Sequence, residues 1–386
     1  MKRILFIGHD ASRSGAPLIL LHLINWLKVN DPKVVIDLLL LRGGELESSY
    51  GESANVYVLL NDKDASLFRR GIAHLKGEYF GARKLRTANI PPFKRTYDAV
   101  LGNTVITLEY LELFKKKGFR TICWLHELEY VVSLFYSHEQ FVRLSERVDC
   151  FIAGSKAVDA MLTDFGCKTP SQVVYEFLPN EAVAAIETAA VRAELGIPNN
   201  AFIVGGGGTV EWRKGTDLFL QIASRVTKNN PDIYFVWIGG RPDHHDSEFE
   251  RVQHDLKHLD LEGKVIFSGI TDEPQRFFSA IDLFILTSRE DSFPLMCIDA
   301  ALFEKPIICF QNAGGMPEFV EDDCGFVVPY LDIEAAANTI IKLCDEPELR
   351  VRLGSAATKK SRQRHDITIA APKILKIIQD VAADVS

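Results

Sequence analysis

The sequence predicts an α/β protein built from two doubly wound parallel sheets in series. Three observations carry that expectation. Short apolar runs bounded by turn residues recur with helix-length segments between them, the pattern of strands joined by crossover helices. The recurrence runs once to about residue 180, pauses over the Ala-rich, Glu-punctuated stretch EAVAAIETAAVRAELGIP, and restarts at FIVGGGG. At 386 residues the chain also exceeds one ordinary core. The expected domains are 1–182, 183–365, and a C-terminal helix over 366–386 that packs back on the first domain.

The first unit reads as strands at KRILFIGH (2–9), VVIDLLLL (34–41), NVYVLL (55–60), YDAVLG (97–102), RTICWLH (120–126) and DCFIAGS (149–155), closed by VVYEFLPN (173–180). The segment Pro17 to Val29 is apolar on most faces and predicts a buried helix, with Pro17 suited to its first turn. The second unit reads as strands at FIVGGGG (202–208), IYFVWIGG (233–240), KVIFSGI (264–270), DLFILTS (282–288), PIICFQ (306–311) and GFVVP (325–329). Thr368 to Val385 is amphipathic and predicts a terminal helix. No solenoid period or low-complexity tract occurs.

Composition narrows the classes. The chain is 47% hydrophobic and 25% charged, and no apolar run approaches the roughly 18 residues a membrane span needs. The apolar part of MKRILFIGHD is short for a secretory signal, so the expected location is the cytoplasm or the cytoplasmic face of a membrane. Seven scattered cysteines without a C-x-x-C pair read as buried thiols. Charge is unevenly divided. Residues 1–180 hold 23 basic and 20 acidic residues, the remainder 21 and 32. Within 63–97, nine basic residues face Asp64 and Glu78, and this segment could meet anionic lipid or a phosphate-bearing acceptor, or be a solvated surface. No nucleic-acid partner is expected.

Open parallel sheets bind ligands beyond the carboxyl ends of their strands, so the chemistry is sought there. After one apolar strand comes LTSREDSFPLMCIDAALFEKPIICFQNAGGMPE (286–318), with Asp291 in a turn and Asp299 in a following helix. After the first strand of the second unit comes GGGGTVEWRKGTDLFL, whose glycines give flexible backbone and whose Arg213 and Lys214 suit a departing diphosphate. It fits neither a Walker loop nor a G-x-G-x-x-G fingerprint. After the first strand of the chain, Ser14 and Gly15 precede the buried helix, where an anion or a simple cap is an equal reading. His126 ends RTICWLH and could donate to a sugar or phosphate, or be structural. Asp243, His244, His245 and Asp246, with His254 and His258, and the D-x-D triplet Asp62-Lys63-Asp64, are weaker candidates for metal ligation.

Together these motifs resemble the retaining, nucleotide-sugar-dependent glycosyltransferases of GT-B fold known as glycosyltransferase family 4, over most of the chain and most strongly over 205–223 and 268–329. The resemblance implies two Rossmann-like domains facing a central cleft. The family's hallmark is two glutamates separated by seven residues. DSFPLMCIDA places Asp291 and Asp299 there, each one methylene shorter, with Pro294 where glycine often stands. By that match Asp291 would contact donor-sugar hydroxyls and Asp299 the ribose. Backbone groups of Ser292, Phe293, Leu295 and Met296 would lie by sugar and phosphate. Lys214 matches the phosphate-binding lysine. The usual arginine falls on Thr209, leaving Arg213 to supply the second charge. His126 matches the cleft histidine, Gly15 the glycine loop, and Ile270 the backbone position beside the base. The implied activity is that of a hexosyltransferase-type enzyme of polysaccharide biosynthesis, moving sugar from a UDP- or GDP-sugar to a glycan, lipid-linked or small-molecule acceptor. The implied mechanism is front-face, with no metal or cofactor. A non-hydrolysing UDP-sugar 2-epimerase and a catalytically weak binding subunit are the alternative readings.

Overall fold

A computed structural model describes residues 2–60, 91–179, 186–240 and 247–383. The chain divides into two compact units, Met1–Pro179 with Asp366–Ser386, and Asn180–His365. The triplet at 62–64, most of the basic 63–97 segment, the cluster at 243–246 and the expected boundary at 182 lie outside the described residues.

In the first unit the strands are β1 (Arg3–Gly8), β2 (Val35–Arg42), β3 (Asn55–Leu60), β4 (Ala99–Asn103), β5 (Thr121–Leu125), β6 (Cys150–Ala153) and β7 (Ser171–Val173). They form one sheet in the order β3-β2-β1-β4-β5-β6-β7, every pair parallel. The second unit repeats the plan with β8 (Phe202–Gly207), β9 (Ile233–Ile238), β10 (Val265–Phe267), β11 (Leu283–Leu286), β12 (Ile307–Phe310) and β13 (Gly325–Val328). Their order is β10-β9-β8-β11-β12-β13, again all parallel. Both follow the doubly wound order 3-2-1-4-5-6, the first with a seventh strand added at its edge, and each reverses direction between its first and fourth strands. The topology thus singles out the loops after β1 and β4 in one unit, and after β8 and β11 in the other.

The central strands read as continuous apolar runs because they are buried on both faces, whereas edge strand β7 exposes Gln172. Helix Gly15–Asn30 buries Pro17, Ile19, Leu20, Leu21, Leu23, Ile24 and Leu27, and helix Ile367–Ala383 packs against it. No helix among the described residues is long and apolar enough to cross a membrane. All seven cysteines are free thiols.

Two local expectations need correction. The closing strand of the first unit is Ser171–Val173, ahead of the apolar stretch at 173–180. Past Val173 the Val174 amide still donates to the Ala153 carbonyl at 3.0 Å, Glu176 then meets the His126 imidazole, and Leu178 bridges to Asp366. The glycine run lies in a strand, as expected over 202–208, but is not the flexible backbone also read from it. Gly205, Gly206 and Gly207 lie inside β8, and a Cβ at each would fall within 2.4, 2.6 and 2.2 Å of Ile281, Phe219 and Met296 respectively. These glycines make room for large neighbours, and only Gly208, at φ 128°, lies in the loop.

Candidate functional site

In the second unit β8 and β11 are adjacent, so the loops that follow them emerge side by side. After β8 the chain makes a 3₁₀ turn at Trp212–Lys214, and Gly215 at φ 68° starts helix Thr216–Thr227. A Cβ on Gly215 would sit 2.0 Å from the Thr287 carbonyl oxygen. Glycine is therefore required twice, for the left-handed backbone and for the close approach. The loops are stitched together: the Arg289 amide donates to the Arg213 carbonyl at 2.8 Å and the Thr287 hydroxyl to the Lys214 carbonyl at 3.1 Å. Arg289 grips Asp217 through two bonds of 2.8 and 2.7 Å and donates to the Trp212 carbonyl at 2.6 Å.

This scaffold aims charged side chains at one point. Lys214 Nζ lies 2.5 Å from Asp291 Oδ2, Ser288 Oγ donates to the same oxygen at 3.2 Å, and Arg213 Nη1 stands 3.9 Å away. Arg213 is aimed by bonds to the Glu290 carbonyl, 3.0 Å, and Glu211, 2.9 Å. Asp291 itself is fixed by its amide, which donates to the Ala313 carbonyl at 2.8 Å, and by its carbonyl, which accepts from Gly315 at 3.2 Å. Burial would raise the Asp291 carboxyl, but Lys214 and Arg213 hold it below its ordinary range. One buried carboxylate thus neutralises one of two neighbouring cations, and an incoming diphosphate could take over both.

Asp299 projects from helix Leu295–Leu302 and is half-buried. No hydrogen-bond partner for its carboxyl occurs among the described residues, and burial pushes it up to about 7. Leu295 and Met296 are the first residues of that helix, whose leading amides lack intrahelical partners. Met296 also fills the hollow over Gly207. Phe293 stacks on His365 at 4.7 Å and meets Phe319 edge-on, anchoring the loop through its side chain. Ser292 is half-buried and Thr209 exposed, while Ile270, after Gly269 at φ 79°, is 82% exposed. The structure therefore brings Arg213, Lys214 and Asp291 into one cluster and leaves Thr209 and Ile270 at strand ends. Ser288, Glu211 and Arg289 escape sequence reasoning; only their place just after apolar strands could have flagged them.

In the first unit, Gly15 is the exposed first residue of its helix, and His126 directly follows β5 with its side chain only 8% exposed. His126, read from the sequence as either a donor to sugar or phosphate or a structural residue, has both ring nitrogens engaged by protein, Nδ1 with Glu176 at 2.5 Å and Nε2 with Asn103 at 2.7 Å. His254 and His258 stack on one another at 3.9 Å on helix Ser247–His258. No group of three or more His, Cys, Asp or Glu residues suited to a metal occurs among the described residues.

Residues 187–360 match the family described as Glycosyl transferases group 1. Among curated proteins, the chain is 24% identical over 205 residues to the lipopolysaccharide core biosynthesis glycosyltransferase LpsE of Rhizobium meliloti, covering 53% of this chain and 56% of that one. It is 34% identical over 130 residues to the alpha-galactosylglucosyldiacylglycerol synthase of Streptococcus pneumoniae, covering 32% of each. It is 27% identical over 199 residues to a D-inositol 3-phosphate glycosyltransferase of Corynebacterium kroppenstedtii, covering 49% of this chain and 42% of that one. The matched stretches thus span between a third and just over half of these relatives. Among solved structures, the Anabaena protein Alr3699/HepE, determined with UDP and glucose, superposes with a TM-score of 0.78 at 19% identity, covering 98% of this chain and 100% of that one. The sucrose-phosphate synthase of Thermosynechococcus elongatus gives 0.74 at 18% identity, covering 99% and 100%. The fold is the two-domain GT-B fold of these structures.

Proposed function

We propose that this chain is a retaining glycosyltransferase whose second unit binds a nucleoside-diphosphate sugar through the loops after β8 and β11. The observation that carries the reading is the convergence of Lys214 and Arg213 on Asp291 at the sheet's switch point, within the segment that matches the family. In this reading Lys214 leaves Asp291 for the diphosphate, joined by Arg213, and the freed carboxylate accepts from donor-sugar hydroxyls. Asp299, whose carboxyl has no hydrogen-bond partner among the described residues, accepts from the ribose hydroxyls. The bond from the anomeric carbon to phosphate oxygen breaks as the acceptor oxygen attacks from the same face. The acceptor proton passes to the leaving phosphate, whose charge Lys214 and Arg213 stabilise. No protein nucleophile or metal takes part.

The named relatives act in lipopolysaccharide, glycolipid and inositol-phosphate chemistry, which supports a glycan, lipid-linked or small polar acceptor. The basic 63–97 segment suits an acceptor at an anionic membrane surface on the cytoplasmic side. The test is a panel of UDP-, GDP- and ADP-sugars, measuring nucleotide release and product anomeric configuration with and without EDTA. EDTA-insensitive release with one donor and a retained anomer is expected. Absence of release, transfer and nucleotide binding across the panel overturns the reading.

A further inference from the structure

Beneath the loop that follows β1, a charged pair is sealed at the carboxyl end of the first sheet. The side chains of His126 and Glu176 are 8% and 5% exposed. Asn103, at the end of β4, presents Oδ1 to His126 Nε2, and its orientation is set independently because Nδ2 donates 2.9 Å to the Ala16 carbonyl. A carboxylate and an amide oxygen can only accept, so each requires an N–H from the ring, and only imidazolium carries two. Gly154, just past β6, leaves the space that Glu176 occupies: a Cβ there would lie 2.2 Å from Oε1.

Among the described residues, other titratable and charged groups also surround the ring. Glu127 accepts from the amides of His126 and Val105 at 3.0 and 3.1 Å. His9, which burial holds below its ordinary pKa, lies near Asp10, Arg42 and His126. The Trp124 ring packs against the imidazole at 4.7 Å. Burial favours neutral His126, yet the charge and hydrogen bond of Glu176, with Glu127 behind it, raise its pKa on balance.

We propose that Glu176 and Asn103 are positioning residues that hold His126 as a fixed imidazolium, which ties three strand ends to the residues beginning helix Gly15–Asn30. His126 then exchanges no proton with a substrate. The bonds run in series from Glu176 beyond β7, through His126 directly after β5 and Asn103 at the end of β4, to Ala16. This role goes beyond the proposed function, which gives His126 no part.

The test is ¹⁵N NMR of the full chain with labelled imidazoles, the His126 signal being assigned by its loss in His126→Gln. At pH 8 both ring nitrogens of His126 should be protonated, and Glu176→Gln should convert the ring to a neutral tautomer in a protein that remains folded. A neutral His126 in the wild type at that pH, or an unchanged imidazolium in Glu176→Gln, overturns the proposal. This arm needs no donor or acceptor, so it stands or falls apart from the glycosyltransferase reading. Where turnover is available, His126→Gln and Glu176→Gln should lose a similar factor and the double variant no more, as residues in one relay do. Multiplicative losses would show that His126 acts on substrate by itself and would overturn the assignment.

Discussion

Replacing Asp299 by asparagine should make the empty protein more stable at pH 8 while weakening nucleotide binding. The carboxyl sits half-buried, without a hydrogen-bond partner among the described residues, and its pKa is raised from 3.8 to about 7 by burial. Between those values the folded state keeps a proton that the unfolded chain has released. Stability therefore falls as pH rises from about 4 to about 7, and is level above that. A shift of about three units, at roughly 1.4 kcal/mol each, sets a ceiling near 4 kcal/mol. Solvent reaching the half-buried group reduces this to about 1–3 kcal/mol. Asparagine carries no such penalty. The stability difference between variant and wild type should be near zero at pH 4, grow through the window and plateau above pH 7. Urea unfolding at pH 4.5, 6 and 8 measures it. A difference independent of pH, or a variant less stable at pH 8, would refute the reasoning. Ribose hydroxyls donating to the carboxylate would lower its pKa, so nucleotide binding at pH 6 should release a proton, visible by calorimetry in buffers of different ionisation enthalpy.

Other substitutions probe the same site. Lys214→Ala should reduce kcat/KM by about 2–4 kcal/mol of transition-state stabilisation, and near-normal turnover would remove Lys214 from the diphosphate role. Gly215→Ala forces a left-handed alanine, costing about 1–2 kcal/mol, with its Cβ 2.0 Å from a carbonyl oxygen. Its melting temperature and donor affinity should both drop, whereas an unchanged melting curve would show that the turn relaxes freely. Arg289→Ala breaks the paired bonds to Asp217 and the tie to Trp212, and should raise the KM for donor more than it lowers kcat. Binding of the full chain to vesicles rich in anionic lipid should weaken as salt rises; binding indifferent to both charge and salt would separate the 63–97 segment from membranes.

The sheets were legible in the sequence because strands covered on both faces are apolar over most of their length, as Leu38 to Leu41 are. Edge strand β7 was not, since Ser171–Val173 carries almost no apolar signal while the apolar stretch lies after it. The glycine run misled for a related reason. A missing side chain marks either backbone that must approach a ligand or space that a neighbour fills, and only Phe219, Ile281 and Met296 decide which. Lys214 and Asp291 could each be placed at a strand end, but their contact joins residues 77 positions apart. The engagement of His126 likewise depends on Glu176, fifty positions downstream, and Asn103, 23 upstream, which no local pattern reports.

Met296 in the hollow over Gly207 works as a spacer gauge for the helix that carries Asp299. A methyl at 207 would meet the Met296 side chain at 2.2 Å and the Ile238 carbonyl oxygen at 2.6 Å, so a smaller residue at 296 relieves only one of the two clashes. Position 207 should accordingly stay glycine when related sequences are aligned, and a library varying 207 and 296 should recover glycine at 207 whatever residue stands at 296. Single changes at either position would then displace a carboxylate that neither residue touches.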